Sequence, residues 1–255
     1  MDASLISVGL LLAFMLCVSI GAVVKGITGF GLPLLTVPAL ASFTNVEEAV
    51  VLIVLPVTAA NLWLVGTHRK WSILRPHYGF LLLGLTGCVL GTWLLSTVDD
   101  HWLKLALATW LGFYLLQLFS RRSYDRYFSA HGHASRSLLG FAAGTIQGAT
   151  GVSASIVAPY FHANGLVRET YVFATAFTFL LFSGVQIATM SRLDLLTPER
   201  LMIGLALIVP TLLFTQLGIR LSRRVSEKVF HQILITLFVA MELKLVIDIV
   251  GSVAA

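Results

Sequence analysis

Six stretches of this chain contain no Asp, Glu, Lys or Arg, and most are about as long as a helix that crosses a bilayer. They are Ala49–His68, Pro76–Val98, Leu105–Ser120, Thr170–Ser191, Leu201–Ile219 and Val229–Met241. A spanning helix needs about 20 apolar residues, and the shorter stretches extend past a single flanking charge. A soluble helical bundle would need polar faces that these stretches lack. The pattern therefore predicts an all-α polytopic membrane protein.

Composition and the N-terminal segment agree with this class. Charged residues make up 11% of the chain, against about 25% in soluble domains. The segment Ala3–Val24 follows Asp2 and is too long for the core of a secretory signal, so we expect a permanent span. Cys17 and Cys88 both lie in apolar runs, which does not indicate a disulfide framework. The net charge of +5 is assigned to cytoplasmic loops and not to nucleic-acid binding.

Two glycine-rich blocks interrupt the apolar runs and resemble each other. "KGITGFGLPLLTVP" begins at Lys25 and "QGATGVSASIVAPY" begins at Gln147. The aligned pairs are Gly26 with Gly148, Thr28 with Thr150, Gly29 with Gly151, and Gly31 with Ser153. Each block is followed by a turn with an acidic residue and then by three spans. We therefore predict a first transmembrane repeat at 1–120, a cytoplasmic linker at 121–136 and a second transmembrane repeat at 137–255.

The distribution of basic residues predicts that the two repeats are inverted. Three loops, around 69–75, 121–136 and 220–228, carry eleven of the 17 Lys and Arg residues, and basic loops prefer the cytoplasm. With all three loops inside, the spans of the second half run opposite to those of the first. This requires the region 137–163 to be a re-entrant hairpin, with halves of about 11 and 12 residues that are each too short to cross. The expectation is about 8–10 membrane segments with both termini outside.

The residue types in the two blocks suit an anion site. Broken helices at membrane depth are tolerated where they line a cavity, and in repeat-built transporters they place half-helix N-termini at the midplane. Free N–H groups there bind anions. Pro33, Pro38 and Pro159 are expected to break or cap these helices, and Ser153 is a candidate N-cap. Neither block contains Asp or Glu, which would repel an anion.

Ten residues of the blocks are candidates for substrate binding, and each has a second interpretation. They are Lys25, Gly26, Thr28, Gly29, Gly31, Gln147, Gly148, Thr150, Gly151 and Ser153. The glycines could serve close helix packing. Lys25 could extend to the cytoplasmic interface. The hydroxyl groups could bond back to carbonyls of their own helices.

Four polar residues outside the repeated positions are candidates for coupling or gating. Asn61 and Gln186 lie inside predicted spans, where interhelical hydrogen bonding is the commoner use. His162 follows the second block and could instead be structural. Glu242 lies in the last apolar run, where it would be a proton carrier or an interfacial charge.

The two blocks carry a family resemblance. "GAVVKGITGFGLPLLTVP" and "GFAAGTIQGATGVSASIVAPYF" resemble the paired signatures of the sulfite exporter TauE/SafE family, and the resemblance covers essentially the whole chain. It implies a secondary transporter, not an enzyme, that exports sulfite or organosulfonates across the bacterial inner membrane. The implied partners are a small anion and membrane lipid, with no metal or cofactor, and a homo-oligomer is left open.

Two other functions use the same residues. An intramembrane serine hydrolase could pair Ser153 or Ser155 with His162, although the first serine faces a glycine in the other block. An anion channel would use the same helix-end chemistry as a carrier. The phosphate-binding pattern of ATP-driven proteins is absent from the sequence, so direct ATP drive would need another subunit.

Overall fold

The computed structural model describes residues 8–119, 133–166 and 168–222, together with 235, 236, 239, 242, 243, 246 and 247. Every regular element within those ranges is a helix, which confirms the predicted all-α class. In chain order the helices are α1 (Val8–Thr28), α2 (Leu32–Ala41), α3 (Val46–His68), a 3₁₀ helix (Trp71–His77), α4 (Tyr78–Thr97), α5 (Asp100–Phe119), α6 (His133–Thr150), α7 (Ala154–Ala163), α8 (Arg168–Arg192), α9 (Pro198–Ala206) and α10 (Ile208–Leu221).

Four helical segments among the described residues are long and apolar enough to cross a membrane. They are Val46–Thr67, Trp71–Thr97, Glu169–Arg192 and Pro198–Leu221. The last one is interrupted at Leu207, between α9 and α10, and Pro210 has no N–H to donate to the Ala206 carbonyl four residues earlier. The predicted span at 102–119 lies in α5, and most of the one predicted at 229–250 lies outside the described residues.

Two helices, α3 and α9, begin at side-chain caps that the sequence supplies. The Asn45 side chain accepts a hydrogen bond from the Glu48 N–H at 2.7 Å and caps α3. Thr197 caps α9 in the same way, accepting from the Arg200 N–H at 3.3 Å, and Pro198 fills the first turn. An Asn or Thr cap satisfies an amide that would otherwise lack a partner at the helix end.

Two features of the glycine-rich regions differ from the sequence prediction. α6 begins at His133, inside the predicted linker, and is 18 residues long rather than about 11. The prediction placed the helix start by charge, but the polar stretch from His133 to Ser137 contains no helix breaker. Pro38 and Pro159 lie inside α2 and α7 and do not end them. Each proline removes one backbone hydrogen bond, and the packing of these mostly buried helices maintains them.

The first helix of each glycine-rich block packs against a helix from the other half of the chain. α6 lies along α4, the most extensive contact among the described helices, and α1 lies along α10. Between these pairs α3 packs against α8. The two blocks therefore have equivalent neighbours. The repeat boundaries and their orientation in a membrane remain predictions.

The crossing of α1 and α10 depends on two facing glycines. A Cβ atom added at Gly26 would lie 2.1 Å from the carbonyl oxygen of Thr215, and one added at Gly218 would lie 2.2 Å from that of Val23. No side chain fits at these distances. Small residues let membrane helices approach until their backbones touch, so Gly26 sets the distance between α1 and α10.

The contact between α4 and α6 repeats this arrangement over about two helical turns. α6 carries glycines at 140, 144 and 148, a G-x-x-x-G-x-x-x-G pattern. A Cβ atom at each would lie within 2.3 Å of a carbonyl oxygen of α4: at 2.0 Å from Phe80, 1.9 Å from Gly84 and 2.3 Å from Cys88. Gly148 therefore has the packing role that Gly26 has in the first block.

An ion-pair network joins the start of α3 to the start of α9. The Arg200 guanidinium lies 3.0 Å from a Glu47 carboxylate oxygen and 2.6 Å from one of Glu48, and it donates to the Leu195 carbonyl at 2.9 Å. All three charged side chains are less than a third exposed. A second ion pair between the two halves, Lys70 with Glu169, is 3.9 Å long, and both of its side chains are at least half exposed.

Replacement of Arg200 by Gln is expected to lower the free energy of unfolding by about 1–3 kcal/mol, because two adjacent carboxylates would lose their shared donor. The matched change Lys70→Gln is expected to cost less than about 1 kcal/mol, as for other exposed pairs. Thermal unfolding of both purified variants in one detergent checks this. Equal losses for the two variants would contradict it.

Candidate functional site

Both glycine-rich blocks form a helix, a three-residue break and a second helix. The first break is Gly29 to Gly31, and the second is Gly151 to Ser153. In each, the amide that follows the first helix donates to a carbonyl four residues earlier: Gly29 to Lys25, and Gly151 to Gln147, both at 2.7 Å. The two breaks thus begin in the same way.

Positive φ angles explain why the breaks contain glycine. φ is 85° at Gly29, 114° at Gly31 and 70° at Gly151. A residue with a Cβ atom pays about 1–2 kcal/mol for a left-handed conformation, whereas glycine does not. The glycines at 29, 31 and 151 therefore turn the chain, while those at 26 and 148 serve the helix crossings described above.

Threonine hydroxyls stabilise the end of the first helix at each break. Thr28 donates to the Val24 carbonyl at 2.9 Å and contacts the Phe30 carbonyl, and Thr150 donates to the Ile146 carbonyl at 2.8 Å. Each hydroxyl also accepts an N–H from within its break. These bonds match the interpretation in which the threonines bond back to their own helices.

The two breaks face one central cavity. The space between the lining residues is about 300 Å³ when open solvent and gaps between side chains are counted. About 10 Å³ of it admits the centre of a water molecule, so a larger ligand requires the lining of the cavity to move apart. Its polar lining residues are Lys25, Asn61, Gln147 and Ser153, and the remaining lining residues are Phe30, Gly31, Pro33, Leu34, Val57, Gly151, Val152, Ala154 and Phe179. A smaller adjoining cavity of about 200 Å³ shares four of these residues and adds Ser183 and Gln186. Pro33 lies in the first turn of α2, beside the cavity.

Of the described residues, Lys25 alone brings a charged side chain to the lining of this cavity. Its side chain is 1% exposed, and its ammonium group donates to the Asn61 Oδ1 at 2.6 Å and lies 5.9 Å from the centre of the Phe179 ring. No carboxylate of the described residues lies within 4.0 Å of it. Lys25 therefore does not extend to an interface, and its charge is buried without a counter-ion from the described part of the chain.

The neutral polar residues of the cavity form a partly satisfied network. Ser153 donates to the Gln147 Oε1 at 2.8 Å, and the Gln147 Nε2 lies 3.5 Å from the Gln186 Oε1. Gln186 also donates to the carbonyls of Gln147 and Gly148 at 3.2 Å each. The Asn61 Nδ2 is buried and has no partner in the described structure. Buried N–H donors without a partner are rare and call for an explanation.

Ser153 lies at the N-cap position of α7, but its hydroxyl does not cap the helix. It bonds to the Gln147 side chain instead. The first amides of a helix have no helical carbonyl to accept them. Because Ser153 and Ala154 line the cavity, this end of α7 presents the positive end of its dipole there.

Trp110 of α5 holds the second break from outside and was not identified from the sequence. Its indole N–H donates to the Val152 carbonyl at 2.9 Å, and Val152 is 1% exposed. The Val152 carbonyl would repel an anion, and this bond pairs it with a donor instead. A lone tryptophan in an apolar run carries no sequence signal for such a role.

Replacement of Trp110 by Phe should keep most of the ring packing and remove this hydrogen bond. Leaving the buried Val152 carbonyl without a donor is expected to reduce the free energy of unfolding by about 1–3 kcal/mol. We also expect weaker anion affinity in the thermal titrations described below. The control is Trp93→Phe, since Trp93 is 49% exposed on α4. The expectation is wrong if both variants have the melting temperature of the wild type.

The remaining candidates lie away from the cavity lining. His162 is exposed in the last turn of α7. Glu242 lies beside Gly112 of α5, where one carboxylate oxygen has no partner among the described residues. Neither candidate serine bonds to His162 within the described part of the chain, because Ser153 donates to Gln147 and the Ser155 hydroxyl has no partner there. No Ser–His dyad is therefore formed by these residues.

The model of the family described as sulfite exporter TauE/SafE matches residues 13–245, which include both breaks and every residue of the cavity. The chain belongs to the sulfite exporter TauE/SafE family. No curated protein and no solved structure shows a match to it. The TauE/SafE family consists of membrane transporters, and together with the apolar helices this makes the chain a multi-pass membrane protein. The resemblance stated from the two glycine-rich blocks is confirmed.

Proposed function

We propose that this TauE/SafE protein is a secondary transporter that exports small sulfur-containing anions, sulfite and organosulfonates among them, across a bacterial inner membrane. The observation that carries the proposal is the buried Lys25 ammonium, which lies between two helix breaks with one amide oxygen as its hydrogen-bond partner. An ammonium group has three donors, so two remain for a ligand.

The groups around Lys25 suit an oxyanion. A sulfonate or sulfite group offers three acceptor oxygens, and the cavity offers the ammonium, the free Asn61 Nδ2 and the N-terminus of α7. Each is a hydrogen-bond donor, and an ionised partner makes such bonds about twice as strong as neutral ones. Asp and Glu are absent from the lining formed by the described residues, so no carboxylate among them opposes an anion there.

The position of the breaks supports transport by alternating access. The cavity lies between helices from both halves of the chain, because α1 and α2 contribute one break and α6 and α7 the other. In repeat-built transporters a site of this kind stays in place while one half rocks against the other. We propose the same for this chain, with the two repeats inverted.

The test is the thermal stability of the purified, detergent-solubilised protein in sulfite, thiosulfate, sulfate, small sulfonates, chloride and acetate at matched ionic strength. A ligand at one hundred times its dissociation constant stabilises by about 2.7 kcal/mol. We expect at least one sulfur oxyanion to raise the melting temperature and acetate, which offers two acceptor oxygens in place of three, to raise it less. If no sulfur oxyanion does so, the proposal loses the site on which it rests.

A further inference from the structure

Among the residues that the structure describes, the fixed charges that line the cavity add up to a single positive charge. Lys25 contributes it, and the matching position of the other break is the neutral Gln147. The remaining polar residues of both cavities are Asn61, Ser153, Ser183 and Gln186, all neutral. A bound ligand would therefore meet one full cation and otherwise only dipoles.

The helix dipoles do not change this sum. At each break one helix ends and another begins, so the negative end of α1 or α6 lies beside the positive end of α2 or α7. Opposite helix ends each carry about half a charge, which nearly cancels over one break. Donors from Gln186 and Trp110 also bind carbonyls at the second break, so these carbonyls do not face the ligand unpaired.

A charge left without compensation in a membrane interior is costly, since the penalty for a buried ion is several kcal/mol even after relaxation. A singly charged anion would neutralise Lys25. A doubly charged anion would leave one negative charge in a cavity whose walls include Phe30, Val57 and Phe179. Those apolar walls also suit a ligand that carries a small apolar group beside its anionic end.

We infer that the cavity selects singly charged oxyanions, such as alkanesulfonates, over doubly charged ones such as sulfate, because Lys25 is its single fixed charge. The inference rests on the proposed function and names the charge class of its substrate. The Asn61 Nδ2, which has no partner among the described residues, supplies the second donor. Asn61 is 0% exposed, and its Oδ1 already accepts a hydrogen bond from Lys25.

The experiment compares ligands that differ in charge and share an oxyanion core. Methanesulfonate and perchlorate are monoanions, and only methanesulfonate carries an apolar group. Sulfate is a dianion with the same tetrahedral shape as perchlorate. Each is titrated into the detergent-solubilised full chain at constant ionic strength, with the dissociation constant obtained from the melting temperature. We expect both monoanions to bind at least about 100-fold more tightly than sulfate.

A variant of Gln147 raises the charge count of the lining by one and also removes the side-chain contacts of Gln147 with Ser153 and Gln186. Gln147→Lys places a second cation at the matching position of the other break, and we expect it to shift the sulfate-to-methanesulfonate affinity ratio toward sulfate by tenfold or more. An unchanged ratio in the folded variant overturns the inference. Should the variant not fold, the wild-type ratio decides alone.

The outcomes separate the inference from the proposed function. Monoanions that bind while sulfate does not support both. Sulfate that binds as tightly as the monoanions overturns the inference and leaves the anion site standing. If none of these anions and no sulfite binds, the proposed function itself fails.

Discussion

Replacement of Lys25 by Met is expected to abolish anion-induced stabilisation and to leave the free protein at least as stable as the wild type. The substitution weakens anion binding but does not destabilise the free protein, because the same buried charge attracts an anion and is costly when no anion is bound. A buried ammonium without a counter-ion costs several kcal/mol in the free protein, and Met has a similar length without the charge. The anion loses its one ionic partner, and loss of a buried charged partner typically costs about 2–5 kcal/mol of binding, about thirtyfold or more in affinity.

The measurement is a sulfite and methanesulfonate titration of Lys25→Met by thermal unfolding, beside the control Lys70→Met. Lys70 has a half-exposed side chain in a long surface ion pair, so its loss should change neither the affinity nor, beyond about 1 kcal/mol, the stability. If Lys25→Met binds with wild-type affinity, Lys25 is not a ligand. If the variant loses stability instead, the hydrogen bond from the ammonium to the Asn61 Oδ1 outweighs the cost of the buried charge.

The second large effect is expected for Gly148→Ala. The added methyl group would lie 2.3 Å from the Cys88 carbonyl oxygen and 2.5 Å from the Thr92 amide nitrogen. Both are backbone atoms of α4 and cannot move aside as a side chain would. The two helices must separate along their whole contact, which we expect to lower the free energy of unfolding by about 3 kcal/mol or more.

The matched control is Gly184→Ala. Gly184 lies in the middle of α8, and a Cβ atom there meets no other atom within 4 Å. Because alanine favours a helix over glycine by about 1 kcal/mol, this variant should melt at or above the wild-type temperature. Both variants are compared by thermal unfolding in one detergent. A Gly148→Ala protein that melts with the control would show that α4 and α6 are not held by the glycine contact.

The sequence identified the residues of the breaks better than it assigned their roles. Lys25, Gln147 and the paired glycines stand out because charge and helix breakers are unusual in apolar runs. Gly26 and Gly148 were grouped with the candidate ligands because they align with each other. The structure gives both glycines a packing role, since each lies where its helix touches the backbone of a helix from the other half. That partner backbone is distant in sequence, so a local motif does not indicate the contact.

Contacts between distant segments explain the other differences. The sequence placed Asn61 inside a span, but its bond to Lys25 joins residues 36 positions apart. Trp110 acts on a carbonyl 42 positions away, and nothing local to Trp110 indicates this. The start of α6 was placed too late because charge was used as the boundary, although Ser, Arg and His are compatible with a helix turn. The sequence pattern thus predicts the helix breaks and the spans. Which polar residues contact each other depends on how the helices pack, and the sequence pattern does not predict that packing.

The most direct test of the central claim, that an anion crosses the membrane by way of the Lys25 cavity, is counterflow of radiolabelled sulfite in proteoliposomes. Vesicles loaded with unlabelled sulfite and reconstituted with wild-type protein should accumulate label transiently and saturably, whereas vesicles with Lys25→Met should not. Label that enters the Lys25→Met vesicles at the wild-type rate would contradict the account, and flux without saturation or counterflow would indicate a channel in place of a carrier.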